Sequence, residues 1–283
     1  MRNYEKEFIQ LFNKIALQYR RSSVFLDFIT LSAIELYQAT YGANADADLI
    51  EQFEHSRARY DNEEFLKLAQ LLSIVINALT EKPYDFLGTV FMALELGDDY
   101  KGQYFTPSYI GDLMAKVVLQ DCDSTINRKG YITLSEPCCG SGVMVIGCVN
   151  TLYEYGFNPQ KQFCVHCQDV DFTAAMMCYI QLSLLHIPAC VVVGDTLCDE
   201  QRICIYTLAY VMGDWSSKWA LSDIQNKADI VDAEERIETE STFKPSFFPT
   251  ILEEEEVLDE DEVIFYYYGD VKYIRLVYRL TAF

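Results

Sequence analysis

The 283-residue sequence is poor in positive charge: 22 Lys and Arg stand against 43 Asp and Glu, a formal net charge of −21. Nucleic acid is held largely by Lys and Arg that neutralise phosphates. A chain this acidic meets DNA only if its few cations cluster or a partner supplies the contacts. Arg20-Arg21, Arg57, Arg59, Lys101 and Arg128-Lys129 are scattered and form no basic stripe. Prolines number seven, at 83, 107, 137, 159, 188, 245 and 249, and no two are adjacent. No apolar run approaches the roughly 20 residues of a membrane-spanning helix. A secretory leader is not evident either, since the chain opens on the charged, helix-like Arg2-Asn3-Tyr4-Glu5-Lys6. A cytoplasmic, reduced protein without disulfides is expected.

Cysteine is missing from most of the chain. All ten lie between Cys122 and Cys204. Cys164-x-x-Cys167, with His166 between, has the spacing of half a zinc site, but it falls in a predicted buried strand and has no second pair. No metal is expected, and the thiols are read as small hydrophobes.

What is present divides into four parts. Residues 1–98 carry helical periodicity, with Phe8, Leu11, Phe12 and Ile15 on one apolar face and Phe65, Leu68, Leu71, Leu72 and Val75 on another. Asp61 and Asp85 are predicted N-caps, and Gly42-Ala43-Asn44-Ala45-Asp46 is a break. Residues 99–221 alternate strand-like and helix-like runs, the pattern of a parallel sheet. Residues 222–262 form an acidic connector. Between Asp229 and Glu262 there are fourteen Asp and Glu against Arg236 and Lys244. Such a block is a solvated connector by default, and alternatively an imitation of DNA phosphates offered to a protein partner. In residues 263–283, Val263–Tyr268 and Val271–Tyr278 flank Gly269-Asp270, which predicts a hairpin.

The chemistry concentrates in the second part. Tyr131-Ile132-Thr133-Leu134 leads into Ser135-Glu136-Pro137-Cys138-Cys139-Gly140-Ser141-Gly142, and a helical run follows from Val143 to Tyr155. That is a strand, a Gly-rich turn and a helix N-terminus, where backbone approaches a ligand closely and N–H groups face it. Upstream lies Gly102-Gln103-Tyr104-Phe105-Thr106-Pro107, ahead of a helix predicted from Ser108 to Leu119. Downstream, Phe163–Cys167 ends in Gln168-Asp169-Val170-Asp171, and Val191-Val192-Val193 ends in Gly194-Asp195. A carboxylate after the second strand of a doubly wound sheet accepts from ribose hydroxyls. One after the next strand can accept from an adenine amino group.

With those residues in that order, the chain resembles the adenine-specific DNA N6-methyltransferases, in particular the modification subunits of type I restriction systems. The resemblance runs from Tyr84 to Leu197, including the lead-in Asp85-Phe86-Leu87-Gly88. It implies a class I, S-adenosylmethionine-dependent methyltransferase fold: an α/β, Rossmann-like doubly wound sheet preceded by an α-helical N-terminal domain. It also implies that S-adenosylmethionine is held by Tyr104, Phe105, Thr106, Pro107, Glu136, Pro137, Gly140, Gly142, Asp169 and Asp195. In the relatives a helical N-terminal region contacts partner subunits and DNA.

The departure is equally specific. The family carries Asn/Asp-Pro-Pro-Tyr/Phe after the adenine-binding strand, to accept from the target amino group and stack on the flipped base. No Pro-Pro pair exists here. The corresponding stretch reads Ile205-Tyr206-Thr207-Leu208-Ala209-Tyr210-Val211-Met212-Gly213-Asp214-Trp215. Asp214 is the candidate substitute acceptor, with Trp215 as the stacking face. The alternative is a Gly-Asp turn with Trp215 and Trp219 on a packed helix. The chain also leaves little length for a separate target-recognition domain, so a specificity subunit is the expected reader of DNA. Three readings follow: an adenine-N6 methyltransferase assisted by a partner, a catalytically inactive cofactor-binding relative, and an acidic anti-restriction protein that mimics DNA.

Overall fold

The computed structural model describes residues 3–96, 105–198 and 200–219, together with the strands 264–268 and 271–275. The chain divides into two compact units, Met1–Trp215 and Ser216–Phe283. In the second, β5 (Ile264–Tyr268) and β6 (Val271–Arg275) form an antiparallel hairpin, with Tyr268 opposite Val271 across a two-residue connection. The acidic stretch 229–262 lies outside the described residues.

The first unit begins with five helices, α1 (Tyr4–Phe12), α2 (Arg21–Tyr41), α3 (Ala47–Arg57), α4 (Asn62–Glu81) and α5 (Phe86–Ala93). Three of their starts, those of α1, α4 and α5, are set by an amide and two carboxylates. Asn3 accepts from the Lys6 N–H, Asp61 from Glu64 and Asp85 from Gly88, each satisfying a donor the first turn leaves unpaired. Phe8, Phe12, Phe25, Phe28 and Phe86 are buried and meet mostly edge to face, at centroid distances of 5.4 to 6.1 Å. Arg21 ties the turn after α1 together by donating to the carbonyls of Phe12, Ile15, Ala16 and Tyr19. Buried Asp27 accepts from Tyr60 and pairs with Arg59, both at 2.6 Å, which joins α2 to the chain entering α4.

The sheet follows. After α6 (Ser108–Val118) and α7 (Cys122–Lys129), β1 (Ile132–Glu136) runs through α8 (Val143–Glu154) and the short α9 (Pro159–Gln162) to β2 (Phe163–Asp169). The chain then passes through α10 (Phe172–Leu184) to β3 (Ala189–Val193). β1, β2 and β3 are parallel neighbours in that order. Two crossovers in one direction place α8 and α10 on the same face, because βαβ connections are right-handed. This is one wound half of a Rossmann-like, doubly wound α/β sheet. β4 (Ile203–Tyr206) pairs antiparallel with β3 and leads to α11 (Leu208–Met212). One continuous apolar core runs from Phe8 to Ile205, so the helices and the sheet share their interior.

α6 and α8 touch through glycine. A Cβ on Gly147 would lie 2.6 Å from the Gly111 carbonyl oxygen, and one on Gly111 would lie 2.9 Å from that of Val143. Ala in place of a helical Gly gains about 1 kcal/mol of propensity, but inserting atoms into a packed contact costs about 1–3 kcal/mol. Here the obstacle is backbone, so packing wins. Gly147→Ala is expected to lower stability by about 1–2 kcal/mol, read as a lower urea midpoint with an unchanged slope.

Candidate cofactor site

The carboxyl-terminal ends of β1, β2 and β3 bring three predicted segments together. The Gly-rich turn leaves β1 at Glu136 and is anchored to its neighbour by Cys139 N–H donating to the Gln168 carbonyl at 2.9 Å. Gly140 (φ +52°) and Gly142 (φ +100°) both adopt left-handed backbone, which strains any residue with a Cβ. Gly140 N–H donates to Asp169 Oδ2 at 2.8 Å, and Asp171 N–H to Oδ1 at 2.9 Å. The turn after β3 closes on the same centre. Thr196 Oγ1 donates to the Pro137 carbonyl at 2.6 Å, and Asp195 Oδ1 accepts from Leu197 N–H at 2.8 Å. Glu136, Pro137, Gly140, Gly142, Asp169 and Asp195 therefore line one edge of the sheet.

The upstream turn reaches that edge too. A Cβ on Gly140 would lie 3.2 Å from the ring of Phe105, so this aromatic sits directly on the Gly-rich turn. Phe105 also meets Phe91 of α5 edge to face at 5.2 Å. Thr106 and Pro107 follow, with Pro107 as the N-cap residue of α6. Tyr104 lies outside the described residues. Beside Phe105 opens a cavity of about 710 Å³, whose walls include Phe91, Leu94, Asp171, Thr173 and Met177. That volume is in the range of small-molecule pockets, about 300–1,000 Å³.

Two carboxylates here are held away from their ordinary titration. Burial pushes Glu136 up to about 7, against the opposing N–H of Cys138 at 3.2 Å, and neighbouring Asp169 raises it further. Burial also raises Asp169, while the N–H groups of Asp171 and Gly140 pull the other way. Asp169 keeps lone pairs on both oxygens after these two bonds. The first turn of α8 has no side-chain cap, so its N–H groups are available to an anionic group.

A buried support stands behind the turn. Asp85, at the start of α5, accepts from Ser141 Oγ at 2.6 Å, from Gln181 Nε2 at 2.9 Å and from Gly88 N–H at 2.9 Å. Gln181 of α10 also donates to the Ser141 carbonyl at 2.8 Å and accepts from Leu87 N–H at 3.1 Å. The sequence marks Asp85 as a cap but gives no sign of its two distant partners. Cys139, Cys167 and Cys178 pack together below the turn, and all are buried. His166 on β2 is kept below its ordinary pKa by burial. Among the described residues no group of three or more His, Cys, Asp or Glu is arranged to hold a metal ion.

The sequence profile described as N-6 DNA methylase matches residues 84–254, more than half of the chain. The chain belongs to the N-6 DNA methylase family. Among solved structures, this family member is similar to a crystal structure from Listeria monocytogenes described as a class I S-adenosylmethionine-dependent methyltransferase. The two are 15% identical, with a TM-score of 0.36 over 66% of this chain and 51% of that one. The chain thus spans about half the length of that structure. No curated protein matches it.

In this family member, the segment where the catalytic motif is expected goes elsewhere. β4 runs antiparallel to β3, with Val193 opposite Ile203 and Cys190 opposite Tyr206. It carries the chain away from the carboxyl-terminal edge to the amino-terminal edge of the parallel strands. There Thr207 Oγ1 donates to the Ile187 carbonyl and accepts from Ala189 N–H. Asp214 is exposed at the following turn, with φ +48°. Trp215 is 2% exposed and packs edge to face on Tyr131, ahead of β1, at 5.1 Å. The structure does not bring Asp214 to Gly140, Asp169 and Asp195; five residues of β1, about 16 Å at strand rise, separate the two edges. A countable signal was available. Only nine residues lie between β3 and β4, while a parallel return needs a dozen or more.

Proposed function

We propose that this chain binds S-adenosylmethionine at the carboxyl-terminal edge of β1–β3 and serves adenine-N6 methylation of DNA with a partner's help. The convergence of Gly140, Asp169 and the Asp195 turn carries the reading. The residues suit the cofactor. Gly140 and Gly142 leave room for close backbone approach, and Asp169 retains acceptor capacity toward the ribose hydroxyls. On this reading Asp195 accepts from the adenine amino group, and Glu136 offers a carboxylate to a ligand that carries positive charge. Phe105 supplies an apolar wall. S-adenosylmethionine supplies an electrophilic methyl group, and the acceptor nitrogen has to be positioned by something else, because Asp214 lies at the far edge. A net charge of −21 points the same way: DNA phosphates need cations that a partner brings.

Calorimetric titration with S-adenosylmethionine tests the site. Binding in the micromolar range is expected for the native chain. Asp169→Ala is expected to weaken it by about 1.5–3 kcal/mol, the worth of hydrogen bonds to a charged group. That corresponds to roughly ten- to a hundredfold in Kd. Gly140→Val is expected to abolish it. Undiminished binding by both variants would place the cofactor elsewhere.

The direction of β4 favours a second reading, a cofactor-binding relative that transfers no methyl group. The two separate in an assay of N6-methyladenine formation on unmethylated DNA. The chain alone gives none on either reading. Product on adding a partner subunit supports the first, and its absence with every such subunit supports the second.

A further inference from the structure

Two cysteines meet between β3 and β4 of the first unit. Val192 faces Cys204 and Cys190 faces Tyr206 across this antiparallel ladder. Side chains alternate along a strand, so Cys190, Cys204 and Tyr206 share one face. The Sγ atoms of Cys190 and Cys204 are 3.4 Å apart. Cys190 is 5% exposed, whereas Cys204 is exposed on a four-residue strand whose described ladder partner is β3 alone. One sulfur is therefore open to a reagent and the other waits behind it.

That asymmetry is the arrangement of an attacking and a resolving thiol. Cys139, Cys167 and Cys178 touch one another but are all buried, without an exposed member. Cys138 and Cys198 are exposed. The electrostatics agree with the geometry. The hydrogen bond between the Cys190 and Cys204 sulfurs and one from the Tyr206 hydroxyl together draw Cys204 down to about 6, against the opposing effect of burial. Cys190 is pushed up by the same hydrogen bond and by burial. Tyr206 is itself fixed, its N–H donating to Tyr41 Oη at 3.1 Å and its ring stacked on Tyr210 at 4.6 Å.

We propose that Cys190 and Cys204 form a redox-active dithiol that takes small disulfides or peroxides as oxidants, with Cys204 attacking and Cys190 resolving. With glutathione disulfide, the Cys204 thiolate attacks one sulfur, forms a mixed disulfide and expels glutathione thiolate. Cys190, losing its proton to solvent, then attacks Cys204 Sγ and expels the second glutathione. With hydrogen peroxide, Cys204 becomes a sulfenic acid as hydroxide leaves, and attack by Cys190 releases water. In each route two thiols lose two electrons and two protons, and the oxidant is reduced by two electrons. Bond formation brings the sulfurs from 3.4 Å to about 2.05 Å.

The experiment uses the full chain, reduced and then exposed to glutathione disulfide, with intact mass and non-reducing peptide mapping as readouts. The expected product has lost two hydrogen atoms and carries a Cys190–Cys204 cross-link. Cys190→Ser is expected to stop at one glutathione on Cys204, and Cys204→Ser to form neither species. Alkylation of the native chain at pH 6 gives an independent reading without a variant. Cys204 is expected to react on the order of tenfold faster than a simple peptide thiol, its larger thiolate fraction outweighing its lower intrinsic nucleophilicity. Glutathione found first on Cys138 or Cys198, a cross-link between other cysteines, or alkylation of Cys204 no faster than the peptide thiol would overturn the proposal.

Discussion

Asp85→Ala is expected to cost about 3–5 kcal/mol of stability, close to the whole margin of many domains. Asp85 is 4% exposed, and its carboxylate takes three donors: Ser141 Oγ, Gln181 Nε2 and the Gly88 N–H. Burial raises its pKa, and those three hydrogen bonds favour the charged form against it. Alanine removes the acceptor and leaves the donors in place with no water at hand. Each buried donor so stranded costs about 1–3 kcal/mol. The three belong to different segments, namely α5, the Gly-rich turn and α10, so the loss is not local fraying. Gly88 shows how closely the cluster is packed, because a Cβ there would overlap the Asp85 carboxylate. Asp85→Asn keeps one oxygen but turns an amide NH₂ toward a donor, and about half the loss is expected. Denaturant midpoints at fixed slope check both variants. A midpoint for Asp85→Ala within about 1 kcal/mol of the native value would mean that the cluster does not hold these segments together.

The same cluster explains why parts of the fold were legible in the sequence and others were not. Caps are local: Asp61, Asp85 and Asp171 each serve a backbone N–H three residues on, so their residue type and position suffice. The strand, Gly-rich turn and helix from Ile132 to Glu154 are likewise local, because Gly140 and Gly142 are needed where the backbone turns left-handed. Hydrogen bonds that join Asp85 to Ser141 and Gln181 span 56 and 96 residues. Nothing in the sequence near Asp85 distinguishes a cap that also reaches two distant groups from one that does not.

Strand direction is written in the length of the connection and not in the strand's own residues, since the nine residues between β3 and β4 are too few for a parallel return. Ile203–Tyr206 reads as β whichever way it runs. The direction is fixed by the tight return in which Glu200 N–H meets the Asp195 carbonyl and Arg202 N–H meets that of Val193. Gly194 is required there, since a Cβ would overlap the Glu200 carbonyl. So the residues that meet at the carboxyl-terminal edge of β1–β3 could be named in advance as a group, while Asp214 could be named only as a candidate. The missing Pro-Pro pair and the antiparallel β4 are two aspects of one departure. A rigid acceptor loop at the cofactor edge needs a strand arriving there, and this strand leaves.

Glu136 leads to the remaining expectation: affinity for S-adenosylmethionine falls about tenfold between pH 8 and pH 6. The side chain is 4% exposed, and burial raises it to about 7. A carboxylate with that pKa is about nine-tenths ionised at pH 8 and about one-tenth at pH 6. The ligand carries a sulfonium and an ammonium, so it favours the ionised form, and binding strengthens as pH rises through 7. Without ligand the sign reverses. A carboxyl group whose folded pKa lies above its unfolded value of about 4.5 contributes stability that is full below 4.5 and lost as pH climbs to 7. Above that, the ionised native state carries a cost of about 3 kcal/mol. Glu136→Gln escapes it, less about 1 kcal/mol for an amide facing the Cys138 N–H. The variant is therefore expected to be more stable than the native chain at pH 8 and to show the weaker pH dependence of binding. Because the ligand's own amino group titrates identically against both proteins, their difference isolates Glu136. Parallel pH profiles for the two would remove Glu136 from the cofactor's charge balance.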